Sequence, residues 1–235
     1  MASPYIRRRG DALNEDELGH WIEQVVGCRP RLERLGYGAS RATYVVDLGG
    51  RGDDLVARVD NGDGPMAGTE LSLGCEAEVY LAATDMRIQH LRAAADDGSA
   101  LLMERAAGTY DMTGLSDAAR TGVYDKHLAA LAELHAVAVA DLDLPSYRQP
   151  TDRPSHALQE LQLWGGILDS RTSQPWPLAH FTRAVLQKCA PQEVSRTVLC
   201  HGEFGPGIFL HDSRRVTAMV DWEFSHIGDS MDDRR

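Results

Sequence analysis

A pair of glycines stands between two β-patterned runs, in Leu35-Gly36-Tyr37-Gly38-Ala39-Ser40-Arg41, and a strand follows it. That order constrains the fold more than any other feature. A dinucleotide-binding fingerprint needs a helix after its glycines. A Walker A loop needs Gly-Lys-Ser/Thr, which is missing here. A glycine turn between consecutive strands instead makes an antiparallel hairpin. It is either a plain turn or a loop whose backbone N–H groups can approach phosphate oxygens.

The surrounding pattern extends this into a small lobe. Strands are predicted over Arg31–Leu35, Ala42–Leu48 and Leu55–Val59, the last two joined by the turn Gly49-Gly50-Arg51-Gly52-Asp53. A helix is predicted from about Glu70 to Ala83, then strands at 88–95 and 100–105 around Asp96-Asp97-Gly98-Ser99. Ahead of them, 14–26 reads as a helix with Asn14 and Glu17 as a capping box and an apolar face of Leu18, Trp21, Ile22 and Val25. Five strands with an inserted helix make an α+β unit. From the cap Ser116 onward the pattern is helical, with further helices at 156–168 and 178–190 after a proline-bearing loop at 141–155. Short strands are predicted at Val198–Cys200, Phe209–His211 and Val216–Val220.

Composition narrows the class. The 235 residues carry a net charge of −11 and a mean hydropathy of −0.32. That charge disfavours non-specific nucleic-acid binding; it serves solubility and is compatible with a cationic ligand. No run of 18 apolar residues is present, so no membrane span is expected. No apolar segment follows the basic residues of MASPYIRRRG, so a cytoplasmic location is expected. Cys28, Cys75, Cys189 and Cys200 form no C-x-x-C pair, so no zinc knuckle is expected.

Three places carry candidate chemistry. Arg58, in Leu55-Val56-Ala57-Arg58-Val59, is either an edge-strand surface cation or an inward one that needs a partner such as Glu76. Leu101-Leu102-Met103-Glu104-Arg105 is either an ordinary strand end or a hinge between lobes. The third place is His201-Gly202-Glu203, followed by Asp221-Trp222-Glu223. One acid on a loop after a short strand and a second after a hairpin is a phosphoryl-transfer layout: one orients the attacking hydroxyl, the other binds a metal. His-x-Glu also opens a zinc deaminase signature, but the Pro-Cys-x-x-Cys it requires is missing. Neither G-x-S-x-G nor H-E-x-x-H occurs.

Taken in order, LGYGASRATY (35–44), LVARVD (55–60), CEAEVYLAA (75–83), LLMERAAGT (101–109), LAALAELHAV (128–137), CHGEFGPGIFL (200–210) and VTAMVDWEFSHIGDSMDD (216–233) resemble the aminoglycoside phosphotransferase family, from about residue 30 to the end. The resemblance implies a protein-kinase-like two-lobe α+β fold, with an N-terminal nucleotide-binding lobe at 1–103 and a hinge and helical C-terminal lobe at 104–235. It implies ATP or GTP with Mg²⁺ as cofactors and a small-molecule hydroxyl as phosphoryl acceptor. By position, Gly36, Gly38 and Ser40 would lie over the phosphates. Arg58 stands where the family has Lys or Arg, with Glu76 as its partner, and Met103–Arg105 would be the hinge. Glu203 holds the catalytic aspartate position, Ile208 that of a metal-binding asparagine, and Asp221 that of the main metal-binding aspartate.

The departures matter for activity. Glutamate at 203 keeps the charge but adds a methylene, and a misplacement of about 1 Å can cost roughly a hundredfold in rate. Ile208 offers no oxygen to magnesium and is expected to crowd a wet site. Relatives usually continue for several more helices. The C-terminal lobe is therefore expected to be incomplete, with an uncovered apolar surface open to self-association. A non-catalytic nucleotide-binding module, a pseudokinase, is the alternative function.

Overall fold

The computed structural model describes residues 13–233 except 39, 51–53, 63–65, 67, 173, 204 and 206. Residues 51–53 of the hairpin turn, the basic N-terminal stretch, Ala39, Phe204, Pro206 and the final two arginines lie outside that set.

Helix α1 (Glu15–Val26) begins on the capping box of Asn14 and Glu17 and ends on Gly27, whose left-handed φ of 79° closes the last turn. Five strands follow: β1 (Arg31–Tyr37), β2 (Arg41–Asp47), β3 (Leu55–Asp60), β4 (Leu91–Ala94) and β5 (Ala100–Glu104). They form one antiparallel sheet in the order β1-β2-β3-β5-β4. Strand β1 runs on through both Gly36 and Tyr37, with its register slipping between Arg34 and Gly36. The glycine turn is therefore confined to the residues after Tyr37.

The two faces of this sheet do different work, and the strand period of two decides which residue goes where. Ala42, Tyr44 and Val46 of β2, Leu55, Ala57 and Val59 of β3, and Ala100 and Leu102 of β5 pack with Leu18 and Ile22 of α1. Their alternates Val56, Leu101 and Met103 join the second core beneath. Strand β3 is thus buried on both faces, and whatever polar side chain it carries among Val56, Arg58 and Asp60 is directed away from α1.

Helix α2 (Leu73–Ala82), capped by Ser72, packs on β4 and β5. Helix α3 (Asp117–Ala136) starts on its Ser116 cap and inserts Val123, Ala130, Leu131 and Leu134 into the second core. Helix α4 (Arg153–Arg171) begins earlier than expected. Asp152 and Ser155 form its capping box, and Pro154 sits in its first turn, where a missing N–H costs nothing. Helix α5 (Pro177–Lys188) buries none of its residues; Leu178, Phe181, Val185 and Leu186 stay exposed along it. Strand β6 (Thr197–Cys200) pairs with β9 (His226–Asp229), a strand the sequence pattern does not reveal, while β7 (Phe209–His211) pairs with β8 (Val216–Met219). Among the described residues, no helix is long and apolar enough to cross a membrane.

Candidate functional site

A cleft of about 470 Å³ lies between the sheet and the β7–β8 hairpin, within the size range of small-molecule sites. Val56, Met103, Leu210 and Val220 supply its apolar lining. Gly38, Ser40, Arg58, Arg105, Asp221 and Glu223 supply its polar one.

The charged centre follows from the sheet's alternation. Arg58 pairs across the sheet with Thr43 and Leu101, on the face opposite α1. Its side chain is almost wholly buried, so it requires counter-charge. Arg58 Nη2 donates to Asp221 Oδ1 at 2.7 Å, and its Nε lies 3.5 Å from Glu76 Oε2. Burial works against the guanidinium charge, but Glu76, Tyr80 and Asp221 outweigh it and hold Arg58 protonated. Burial in turn raises the hydroxyl of the neighbouring Tyr80 above its ordinary range.

Glu76 also reaches a cation that sequence reasoning missed. Arg41, 4% exposed, places Nε 3.3 Å from Glu76 Oε1 and Nη1 3.3 Å from Asp60 Oδ2. Its Nη2 donates to the Leu71 carbonyl at 2.7 Å. A buried carboxylate thus bridges two arginines, in a chain running Asp60–Arg41–Glu76–Arg58–Asp221. The period of two from Arg41 to Thr43 on β2 was the available signal.

Steric limits fix the loop above this chain. A Cβ on Gly38 would lie 2.3 Å from the Arg41 carbonyl oxygen, so only glycine fits. Asn61 Nδ2 donates to the Gly38 carbonyl at 3.0 Å, and the Asn61 amide donates to the Ser40 carbonyl at 3.2 Å. Gly36 sits in β1 opposite Thr43.

At the proposed hinge, Met103 is buried and Arg105 lines the cleft. The amides of Glu104 and Arg105 already donate to the carbonyls of His90 (2.9 Å) and Asp54 (2.8 Å). The next residue, Ala106, also lines the cleft. Gly108 then passes so close to His211 and Thr217 that a Cβ would lie 2.7 Å from Thr217 Oγ1.

The acidic loops converge on the other wall. Asp221 follows β8 with a left-handed φ of 68°, a conformation that Asp tolerates better than most residues. Burial, then the charge of Asp221, pushes Glu223 up to about 7, with Arg58 opposing. The same two causes raise Glu203. Glu203 is exposed and is not among the residues lining the cleft. Ile208 does not crowd a wet site, contrary to expectation. It is 4% exposed and packs in the apolar core with Phe209, Met219 and Trp222, because a hydrocarbon side chain gains more there than beside carboxylates.

The loop bearing Glu203 hangs from a residue that the sequence did not single out. Asp233, fully buried, accepts from the amides of His201 and Gly202, both at 2.8 Å, and pairs with His135 Nε2 at 2.9 Å. Burial pushes its carboxyl up, but the hydrogen bonds from His135, Gly202 and His201 outweigh it and hold it below the usual range. His201 Nε2 meets the Val220 carbonyl at 2.9 Å, tying this loop to the segment that carries Asp221. Gly202 has φ 84°, and a Cβ there would lie 2.0 Å from the Phe224 carbonyl oxygen.

A five-stranded antiparallel sheet over a charged cleft, closed below by a loop and hairpin bearing carboxylates, defines a protein-kinase-like fold. Residues 31–233 match the phosphotransferase enzyme family (APH), and the chain belongs to that family. Among solved structures it is similar to the streptomycin–ATP–APH(2")-IIa ternary complex, with a TM-score of 0.66 and 16% identity over 94% of this chain and 74% of that one. It is also similar to an aminoglycoside phosphotransferase assigned in Ralstonia eutropha (TM-score 0.66, 23% identity, 93% and 67% covered). A third is macrolide 2'-phosphotransferase MphH from Brachybacterium faecium (TM-score 0.59, 20% identity, 93% and 75% covered). Among curated relatives it is 29% identical over 138 residues to human acyl-CoA dehydrogenase family member 11, and 27% identical over 126 residues to the Mus musculus protein. Those stretches are 56% and 53% of this chain, but only 17% and 16% of the relatives' own length.

Proposed function

We propose that this chain binds ATP or GTP in the cleft and transfers the γ-phosphoryl group to a hydroxyl of a small molecule. The contact of Arg58 with both Glu76 and Asp221 carries the reading. It sets a fixed cation and an accessible carboxylate side by side, facing the glycine loop. Residues up to 103 form the nucleotide lobe and 104–235 the hinge and acceptor lobe. The purine lies between Val56, Met103 and Leu210, with its polar edge at Ala106. Backbone around Gly38 and Ser40 approaches the phosphates, and Arg58 holds them at an angle set by Glu76.

The donor set suits magnesium. Asp221 and Glu223 both line the cleft and offer hard oxygen ligands, and their mutual repulsion is what a divalent cation relieves. Magnesium, when bound, neutralises charge on the phosphates. Glu203 orients the acceptor hydroxyl and takes its proton as the oxygen attacks. Two of the similar structures are APH(2")-IIa complexes with streptomycin and with gentamicin, and a small polyol or amino sugar is the acceptor class to screen first. The four cysteines are free thiols, which fits a cytoplasmic setting.

A second reading is a nucleotide-binding module without transfer. It is favoured by Ile208 in the core and Glu203 outside the cleft lining. Calorimetry of ATP and GTP binding with and without Mg²⁺, followed by a phosphate-release assay, separates the two. Mg²⁺-strengthened binding with turnover supports transfer. Binding without turnover for any acceptor supports the module. Absence of nucleotide binding by folded protein would sink both.

A further inference from the structure

A second cluster of chemistry lies behind the catalytic loop, on the far side of β6. Cys200 and His226 stand directly opposite each other in the β6–β9 ladder, so their side chains project from the same face. Asp232, in the turn after β9, folds back onto this pair. The Cys200 thiol, the His226 imidazole and the Asp232 carboxylate bring one ligand atom each to within 4.8 Å of one another. We propose that Cys200, His226 and Asp232 form a transition-metal site of the zinc class, separate from the nucleotide cleft and independent of the phosphotransferase reading.

Three observations beyond proximity support it. First, the imidazole is oriented as a ligand. His226 Nδ1 lies 3.0 Å from the Phe224 carbonyl oxygen, to which it can only donate. That bond leaves Nε2 as the atom that faces Asp232 Oδ2 at 3.4 Å, and a backbone carbonyl on the second nitrogen is the usual support of a metal-bound histidine. Second, the space is kept open by a glycine. A Cβ on Gly228 would lie 2.6 Å from His226 Nε2 and 2.9 Å from Asp232 Oδ2, in the gap where the groups converge. Third, there is a way in. Cys200 is buried, but the Asp232 side chain is 31% exposed and that of His226 16%.

The donor set decides the class of metal. Thiolate with imidazole and one carboxylate selects zinc or a neighbouring transition metal and disfavours magnesium and calcium, which require oxygen ligands. Three protein ligands leave a fourth tetrahedral position for water. Cys200 binds as the thiolate, so uptake releases its proton to solvent. The consequence is mechanical: Cys200 immediately precedes His201-Gly202-Glu203, so a bound ion fastens β6 to β9 at the root of the catalytic loop.

The test uses the full chain and cobalt(II) as a spectroscopic stand-in for zinc. A thiolate-to-cobalt charge-transfer band in the near ultraviolet, reaching one equivalent and displaced by Zn²⁺, is expected. Cys200→Ala should abolish the band while Cys28, Cys75 and Cys189 remain. Asp232→Asn, on the accessible side, should weaken Zn²⁺ binding by about tenfold or more. It also covers the case in which Cys200→Ala fails to fold. Zinc should raise the unfolding temperature of the native chain, raise that of Asp232→Asn less, and leave that of Cys200→Ala unchanged. Absence of a thiolate–cobalt band in the native chain would overturn the proposal, as would a Zn²⁺ affinity unchanged in Asp232→Asn.

Discussion

Arg58 Nη2 and Asp221 Oδ1 meet at 2.7 Å, so a strand of the sheet grips a carboxylate 163 positions further along the chain. That grip fixes Asp221, and on the proposed reading the carboxylate also holds the cation. Asp221→Asn keeps the shape and loses the charge. Calorimetry should show that Mg²⁺ no longer strengthens nucleotide binding in this variant. The Asp221 side chain is 40% exposed, so the stability cost should stay near 1 kcal/mol or less. Undiminished Mg²⁺ enhancement would remove Asp221 from the cation site.

Glu76 is the opposite case. It is 1% exposed and stands between two buried guanidinium groups. Removing its charge leaves Arg41 and Arg58 with only their outer partners, Asp60 and Asp221. Glu76→Gln should lower the unfolding free energy by roughly 3–5 kcal/mol, measured by urea denaturation. A loss below about 1 kcal/mol would mean that Asp60 and Asp221 suffice to hold the two arginines.

The two altered catalytic-loop positions should separate cleanly. Glu203 is exposed, so Glu203→Asp should leave stability within about 0.5 kcal/mol and, on the transfer reading, raise Mg²⁺-dependent turnover. Ile208 lies in the apolar core, so Ile208→Asn alone should cost roughly 2–4 kcal/mol. If denaturation shows no cost, residue 208 can swing into the cleft. The double substitution is then the variant in which to seek restored activity.

What the sequence reveals of this architecture is what local chemistry dictates. Asn14 with Glu17, and Ser116, mark helix starts because a cap's partners lie three residues away. The five-strand lobe is legible because its β-patterned runs are long and its turns carry glycine. Strand β9 is not, because His226–Asp229 has only Ile227 as a β-former and exists through its ladder with β6, far upstream. Pro154 reads as a loop residue until Asp152 is seen to cap a helix in front of it. Arg41 and Asp233 escape for a related reason: each is one charged residue among many, and only distant partners distinguish it. Glu223 lies two residues past a recognised acid, but burial beside Asp221 sets its role, and burial is a property of the fold.

Acid sensitivity should originate in the C-terminal lobe. His127 is fully buried and stacks on Phe209 with ring centroids 4.3 Å apart. Burial, then the neighbouring His201, holds it down at about 4, with Asp233 opposing. An unfolded histidine takes up its proton near 6.5, so below that pH protons favour the unfolded chain. His127's contribution is therefore fully present above about 6.5 and is lost progressively as pH falls towards 4, by up to about 1.4 kcal/mol per pH unit. His201, held low chiefly by burial, acts in the same direction. Asp233 adds a loss at more acid pH: its carboxyl is depressed in the folded chain, so its contribution disappears as pH falls through that lowered value. His127→Phe keeps a ring against Phe209 and removes one titrating group. Glu223, raised to about 7, takes up its proton in the folded chain over the same window and opposes this loss, so the test is a difference between two proteins. Between pH 7 and pH 5 denaturant unfolding should show the native chain losing more stability than His127→Phe. Parallel losses in the two proteins would show that His127 does not govern this window.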